Sequence, residues 1–291
     1  MILLSKQKKD MTEQLKIHHE FPHSIDIQRG NNPGYAGVTI SFSRAIRFIS
    51  CIVTVGILEL SSVMAQLHTP VHEKYTQAAA QRMITASREL LNPVYEPLAK
   101  QIVDDFKLAE RSSGTGIDLG SGPGNLIIEL CKYTRLHWIN ADINPYFFAY
   151  FHTEAEKKGF AHQVSSIFAD AQALPFKDDY ADIIVSRGSY HFWENKELAF
   201  SEILRVLKPG GIAYIGRGFA RDMPVDIARS IRKKQSGDLN YDPQIEANKL
   251  KEMFNTLQIE SYRIELPEPP GNAEDLHYGI WIELRKPYDS E

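Results

Sequence analysis

The sequence predicts an α/β protein with a doubly wound, mostly parallel sheet and helices on both faces. From residue 116 to residue 216, short apolar segments alternate with longer amphipathic segments. Such alternation is typical of parallel strands that are joined by helical crossovers. The first strand ends in a glycine-rich turn, Gly120 to Gly124, which leads directly into the amphipathic run Leu126 to Tyr133. A strand, a glycine-rich turn and a helix in this order open many nucleotide-binding α/β domains.

Each element is predicted from its local pattern. Two helices, Tyr75 to Leu91 and Val94 to Phe106, precede the sheet and are separated by Asn92 and Pro93. The apolar segments predict strands at residues 116–119, 137–141, 164–168, 180–186 and 212–216. The amphipathic segments predict helices at residues 124–133, 145–158, 196–207 and 243–257. Two last strands, 258–265 and 278–285, flank a proline-containing loop.

Composition and charge argue against some classes of function. The chain has 43% hydrophobic and 24% charged residues, which are ordinary globular values. Its net charge of −4 and isoelectric point near 6.2 argue against a nucleic-acid partner, because binding to phosphate backbones needs a basic surface. The densest basic run, residues 229–234, is interpreted as a solvated helix face. The two cysteines, Cys51 and Cys131, provide neither a disulfide framework nor a thiolate zinc site, so we expect no metal.

The first 66 residues differ from the rest and are predicted to form a disordered leader. An apolar run at residues 48–58 is too short for a stable membrane span, which needs about 20 apolar residues. With the basic residues before it and the small-x-small pattern Val63-Met64-Ala65, this run resembles a cleavable signal. Two localisations therefore stay open: export after cleavage near Ala65, or retention in the cytoplasm.

The glycine turn indicates what kind of ligand the domain binds. Glycines at 120, 122 and 124 lack a Cβ, so the backbone there can approach a ligand closely. Asp118 lies two positions before the first of them. That strand position is usually apolar where the ligand is an anionic pyrophosphate, whereas a carboxylate suits a ligand with a cationic end. We therefore expect a nucleotide-like ligand that carries a positive charge.

The chain resembles the class I, Rossmann-like methyltransferases, in particular the type 11 group. Beyond the glycine turn, the resemblance rests on Asp142 at the end of the second strand and on the stretches 170–176, 180–186 and 202–211. It covers roughly residues 90–286. It implies a seven-stranded sheet whose antiparallel last strand lies between strands five and six. It also implies that helices within residues 67–110 cap the cofactor cleft of a domain formed by residues 111–291.

The resemblance implies S-adenosylmethionine as the cofactor and indicates which residues hold it. An acid at the end of the second strand, here Asp142, binds the ribose hydroxyls, and a carboxylate is able to accept from both hydroxyls of a vicinal diol. The pair Asp170-Ala171 corresponds to residues that contact the adenine amino group. The full set of expected cofactor-binding residues is Asp118, Gly120, Ser121, Gly122, Gly124, Asn125, Asp142, Ile143, Asp170, Ala171 and Ser186.

The segment after the fourth strand, Ser186 to Glu194, is expected to border the methyl group. It contains one arginine, one histidine and three aromatic residues. Arg187 and His191 are the catalytic candidates: the arginine as an anchor for a carboxylate or phosphate, and the histidine as a general base. Each has a structural alternative, and Phe192 and Trp193 equally suit packing in the core.

A second arginine, Arg217, follows the fifth strand and is expected at the same edge of the sheet as Arg187. Two guanidinium groups that face one cleft repel each other unless an anion lies between them. We therefore expect a small-molecule acceptor that carries a carboxylate or a phosphate. If the arginines instead pair with internal carboxylates, such as Glu194 or Asp222, the aromatic residues favour an apolar or cationic acceptor.

Two other functions fit parts of the pattern. A noncatalytic module that binds S-adenosylmethionine would keep the glycine turn and both acids but would not turn over. A nicotinamide-dependent dehydrogenase would share the turn, but Asp118 and the absence of a second dinucleotide-binding half in the sequence weigh against it.

Overall fold

The computed structural model describes residues 75–234, 241–271, 273 and 276–288. The leader predicted for residues 1–66, with its apolar run and its cleavage pattern, lies outside the described residues. Within the described ranges, no helix is both long enough and apolar enough to span a bilayer.

Seven strands form one sheet. They are β1 (Thr115–Leu119), β2 (His137–Asp142), β3 (Val164–Phe168), β4 (Ala181–Arg187), β5 (Leu207–Gly218), β6 (Tyr262–Glu265) and β7 (Gly279–Arg285). Their order across the sheet is β3-β2-β1-β4-β5-β7-β6. The pairs among β1 to β5 are parallel, whereas β7 is antiparallel to both of its neighbours, β5 and β6. The predicted fold class and the position of the antiparallel strand are therefore confirmed.

Helices cover both faces of this sheet. Those in the described residues are α1 (Gln77–Glu89), α2 (Asn92–Asp105), α3 (Asn125–Cys131), α4 (Phe148–Lys157), α5 (Lys196–Val206), α6 (Val225–Lys234) and α7 (Pro243–Thr256). Successive side chains of a strand point to opposite faces of its sheet. On β4, Ile183 and Val185 accordingly join one buried core with α2, α3, α4 and α6, while Ile184 joins a second core with α5 and α7.

The direction of the chain across the sheet reverses at its centre. From β1 the chain moves outward to β2 and β3, and it then crosses back to β4 on the other side of β1. In open α/β sheets, ligands bind at such a switch point, in the crevice beyond the carboxyl ends of the strands. Asp142 and Arg187 are the last residues of β2 and β4. The topology therefore brings polar residues that are distant in sequence to one edge.

The start of α1 lies close to this edge. The Thr76 side chain caps the helix by accepting a hydrogen bond from its first turn at 3.1 Å. Ala80 and Ile84 pack against Phe147, which lies in a short 3₁₀ turn after β2. The Asn144 side chain donates to the Thr76 carbonyl oxygen at 3.3 Å. These contacts fix the beginning of α1 beside the end of β2.

Several element boundaries differ from the sequence prediction, among them the start of β6, which is Tyr262 and not residue 258. The helix expected at residues 145–158 is a 3₁₀ turn, Pro145–Phe147, followed by α4. β5 begins at Leu207 and not at residue 212, because the buried Leu207 already pairs with Ala181 of β4. The pairing then shifts register between Ala181 and Ile183, which accommodates the Lys-Pro-Gly-Gly stretch inside β5.

α6 carries the basic run that the sequence analysis interpreted as a solvated helix face. Ala228 and Ile231 are buried in the core, and Arg229 and Lys233 are exposed, as expected. The interpretation is wrong for Arg232, whose side chain lines a cavity beside the ends of β4 and β5. Arg232 is therefore less exposed than Arg229 and Lys233 of the same helix.

Candidate active site

Asp118 is a buried carboxylate in β1, one residue before the strand ends. It is only 2% exposed, and the Ser121 hydroxyl donates to its Oδ2 at 2.8 Å. Burial raises the pKa of Asp118 to about 7, because it disfavours the charged form more than the Ser121 hydrogen bond favours it. No basic side chain among the described residues lowers this pKa. The carboxylate is thus poised to gain from a positively charged ligand.

Asp142 is a second buried carboxylate, and the backbone holds it in place. Its Oδ2 accepts from the N–H of Gly122 and its Oδ1 accepts from the N–H of Asn144, both at 2.7 Å. Burial raises the pKa of Asp142 to about 6, although these backbone hydrogen bonds oppose the rise. A carboxylate has about four acceptor positions, and the backbone N–H groups of Gly122, Asn144 and Ile143 do not use all of them. The group therefore has acceptor capacity for hydroxyl donors.

The three glycines of the turn have different roles. All have positive φ angles, +69° at Gly120, +56° at Gly122 and +77° at Gly124, which favour glycine. A Cβ at Gly120 would collide with Ser189, and one at Gly124 would collide with the Phe151 ring. At Gly122 the nearest atom to such a Cβ is Phe147 Cζ at 4.0 Å. The open space next to the turn is therefore at Gly122, beside Asp142.

Two further predicted positions adjoin the turn. Asn125 begins α3 directly after Gly124. Ile143 is partly buried and follows Asp142 at the end of β2. A hydrogen bond from β2 also holds the turn in place: the Asn140 side chain donates to the Gly122 carbonyl oxygen at 3.1 Å.

Asp170 and Ala171 lie just beyond β3. The Asp170 carboxylate accepts from the Gln172 backbone N–H at 2.9 Å, which stabilises the turn that also bridges Asp170 to Ala173. Ala171 is buried. The Asp170 carboxylate is partly exposed and is directed by this turn. Both residues lie at the carboxyl end of the sheet, like Asp118 and Asp142.

Tyr75 lies near these carboxylates, although the sequence did not single it out as a site residue. Burial raises the pKa of its hydroxyl, and the charges of Asp170, Glu194 and Asp142 raise it further. Its only sequence signal is its position directly before the helix cap Thr76. Its closeness to the carboxylates depends on how α1 packs, which a local pattern does not reveal.

The pocket formed by these residues suits S-adenosylmethionine. Two buried carboxylates have acceptor capacity and lack a cation partner in the described chain, which fits the ribose hydroxyls and the cationic end of this molecule. The Ser186 hydroxyl, in β4 beside β1, is buried and has no hydrogen-bond partner among the described residues. Gly122 leaves room for a ligand where a side chain would intrude.

A cavity of about 350 Å³ opens beyond the ends of β4 and β5. Both arginines that the sequence singled out, Arg187 and Arg217, line it together with a third, Arg232 of α6. Its other lining residues are His191, the two glycines Gly188 and Gly218, and the apolar residues Met83, Leu91, Phe192 and Phe219. The cavity therefore combines a basic side with an apolar side.

The aromatic residues after β4 divide between core and cavity. Tyr190 is fully buried, and Trp193 packs edge-on against Phe200 while its Nε1 donates to the Ser189 hydroxyl at 3.1 Å. Phe192 is 71% exposed, and its ring lies 3.9 Å from the ring of His191, measured between centroids. The core alternative thus holds for Trp193, whereas Phe192 and His191 line the cavity.

Comparisons with known proteins agree with this geometry. A family model described as a methyltransferase domain, of the type 11 group, matches residues 117–215. A solved structure of a Methanococcus maripaludis protein assigned as an S-adenosyl-L-methionine-dependent methyltransferase is 30% identical, with a TM-score of 0.64. The alignment covers 75% of this chain and 96% of that one. A methyltransferase of this kind from Aquifex aeolicus, 16% identical with a TM-score of 0.51, shares the fold over 73% of this chain and all of that one.

Proteins that are related in sequence also include methyltransferases. An uncharacterized protein of Mycobacterium tuberculosis is 31% identical over 183 residues, which are 60% of this chain and 64% of the relative, so the match leaves about a third of the relative uncovered. A ubiquinone/menaquinone biosynthesis C-methyltransferase of Shewanella frigidimarina is 35% identical over 97 residues, 33% of this chain and 39% of that protein. The chain belongs to the class I, Rossmann-like S-adenosylmethionine-dependent methyltransferases of the type 11 group, and S-adenosylmethionine is its cofactor.

Proposed function

We propose that the protein transfers a methyl group from S-adenosylmethionine to a small molecule that carries an anionic group. The observation that carries this proposal is the adjacency of two sites at one switch point. Ser186 directly follows Val185, which pairs with Asp118 across the sheet, and Arg187, the next residue of β4, lines the basic cavity. A donor in the pocket and an acceptor in the cavity would meet at the end of β4.

In the cofactor pocket, we assign the ribose hydroxyls to Asp142, because its two backbone hydrogen bonds fix the carboxylate and leave lone pairs for donors. The cationic end of the cofactor is assigned to Asp118, a buried carboxyl group whose pKa no cation in the described ranges lowers. The backbone from Gly120 to Asn125 surrounds the open space at Gly122. Ile143, Asp170 and Ala171 are assigned to the adenine side, and Ser186 to the side of the methyl group.

The residues of the cavity then have positioning roles. S-adenosylmethionine supplies a methyl carbon that is already activated by its positive sulfur. Because the displacement is in line, much of the rate acceleration comes from holding donor and acceptor at attack distance. Arg187 anchors the anionic group of the acceptor, and this fixes the distance. His191 accepts a proton where the attacking atom must lose one.

A methyl-transfer assay tests this proposal. The full chain is incubated with S-adenosylmethionine that is labelled in the methyl group and with fractionated pools of small metabolites. We expect label to appear in the anionic fractions and to be lost in Asp142→Ala, while the exposed control Asp222→Ala keeps it. Binding of S-adenosylhomocysteine without transfer to any fraction would instead support the noncatalytic module.

A further inference from the structure

The cavity holds more positive charge than one carboxylate can neutralise. Arg187 comes from the end of β4 and Arg232 comes from α6, so two separate elements direct guanidinium groups into one space. The Nε of Arg187 and the Nε and Nη2 of Arg232 are buried and find no hydrogen-bond partner within the part of the chain that the structure describes. Among the described residues that line the cavity, none carries a carboxylate.

Aromatic rings support these guanidinium groups without satisfying their N–H donors. Arg187 lies over the Tyr95 ring at 5.8 Å and Arg232 lies over the Phe219 ring at 4.8 Å, measured to the ring centroids. Burial lowers the pKa of Arg187. Burial and, to a smaller extent, the charges of Arg187 and Arg217 together lower the pKa of Arg232 to about 10. Desolvated cations that repel each other are costly unless an anion joins them.

Further polar groups lie around the same cations. Tyr241 is close enough to Arg232 to raise the pKa of that arginine, and its buried hydroxyl lies beside the hydroxyl of Tyr190. Its ring also lies 4.9 Å from the Arg217 guanidinium. Unsatisfied buried polar groups are rare in native proteins, and several around one cavity point to a missing ligand. The ligand must accept many hydrogen bonds, since most of these groups are donors.

We propose that the acceptor carries a dianionic oxyanion, a phosphate monoester, which Arg187 and Arg232 bind together. This inference rests on the proposed function and specifies the substrate class of the same cavity. A phosphate monoester carries close to two negative charges near neutral pH and three oxygens that accept strong hydrogen bonds. It would neutralise both guanidinium groups, whereas a single carboxylate would leave one charge uncompensated.

The apolar side of the cavity suits the rest of such a molecule. Met83, Leu91, Phe192 and Phe219 contribute hydrocarbon or aromatic surface to the same cavity. The volume of about 350 Å³ lies near the lower end of the range for small-molecule sites, about 300 to 1,000 Å³. The cavity therefore fits a small phosphorylated metabolite with an apolar body.

A titration with three simple anions tests the inference. The full chain, saturated with S-adenosylhomocysteine at about pH 8, is titrated calorimetrically with inorganic phosphate, malonate and acetate. We expect phosphate to bind at least about tenfold more tightly than acetate and more tightly than malonate. Arg187→Met and Arg232→Met should each weaken phosphate binding at least about tenfold, and Arg232→Lys should weaken it less than Arg232→Met. Arg229→Met, an exposed arginine on the same helix, should leave it unchanged.

The outcomes separate this inference from the proposed function. Equal affinity for acetate and phosphate, tighter binding of malonate, or unchanged phosphate affinity in Arg232→Met would each overturn the phosphate assignment. S-adenosylhomocysteine affinity is measured in every variant, and it also reports whether the variant is folded. Failure of the parent chain to bind S-adenosylhomocysteine would contradict the proposed function. Normal binding of that molecule without phosphate binding would overturn only the inference.

Discussion

At the scale of single residues, Asp142 illustrates how one carboxylate is prepared for its ligand. Its position at the end of an apolar segment was evident in the sequence, because such segments predict strands. Its two backbone hydrogen bonds and its burial were not evident, since they depend on the conformation of the glycine turn, which donates from Gly122. Arg232 shows the opposite case. Nothing local distinguishes it from Arg229, and only the packing of α6 reveals its role.

The Asp142 assignment predicts a loss of cofactor affinity. Asp142→Ala removes the acceptor for the ribose hydroxyls, so binding of S-adenosylhomocysteine should weaken by roughly 1 to 3 kcal/mol, as for hydrogen bonds to charged groups. Isothermal titration of parent and variant measures this difference. The matched control is Asp222→Ala, which removes an exposed carboxylate. If Asp142→Ala binds as tightly as the parent, the ribose assignment is wrong.

Asp118 predicts a pH dependence of stability. Burial raises its pKa in the folded state to about 7, whereas an unfolded aspartate titrates near 4. The folded state therefore holds more protons than the unfolded state between about pH 4 and pH 7. The contribution of Asp118 to the free energy of unfolding is highest below this window and falls as the pH rises through it.

The variant Asp118→Asn removes this titration. Urea unfolding without cofactor, at about pH 5 and about pH 8, should show a smaller loss of stability on raising the pH for Asp118→Asn than for the parent. Asp222→Asn, at an exposed position, should behave like the parent. An identical pH dependence in Asp118→Asn and the parent would show that burial does not raise the pKa of Asp118 in the folded protein.

At the scale of elements, substitutions at different glycines of the turn should affect folding and ligand binding separately. Side chains fill the space at Gly120 and Gly124, whereas Gly122 faces open space. Gly122→Val should therefore leave the protein folded, at a cost of about 1 to 2 kcal/mol for the left-handed backbone. Binding of S-adenosylhomocysteine should be lost, because the new side chain enters the ligand's space. Thermal unfolding and calorimetric titration of the variant test the two parts separately.

The contrast with Gly124 provides the control. Gly124→Val should unfold at a clearly lower temperature than Gly122→Val, because its side chain collides with the buried Phe151 ring. If Gly122→Val binds S-adenosylhomocysteine with the affinity of the parent, the turn does not hold the cofactor.

The bounds of strands and helices could be predicted from the sequence where neighbouring residues alone determine them. The strand Val164–Phe168 was predicted with the bounds that the structure shows. The start of β5 was not, because a Pro-Gly-Gly stretch reads as a turn, and only the pairing of Leu207 with Ala181 extends the strand before it. The bounds of α6 were not predicted, and Ala228 and Ile231 are its buried residues. Pairing and helix docking are long-range effects that a single sequence does not encode locally.

At the scale of the whole molecule, the described part of the chain has its own buried cores on both faces of the sheet. A chain of residues 67–291 should therefore fold and bind S-adenosylhomocysteine with an affinity within about threefold of the full chain. The unfolding temperature and a calorimetric titration of both chains measure this. A shortened chain that is unfolded would mean that residues 1–66 supply part of the core.

We propose that a cofactor pocket and an acceptor cavity meet at the end of β4. A crystal structure of the full chain with S-adenosylhomocysteine tests it most directly. We predict that the ribose hydroxyls lie within hydrogen-bond distance of Asp142, the amino group lies near Asp118, and the sulfur faces the cavity of Arg187 and Arg232. Density for the ligand away from the turn at Gly122, or a sulfur that faces away from that cavity, would contradict the account.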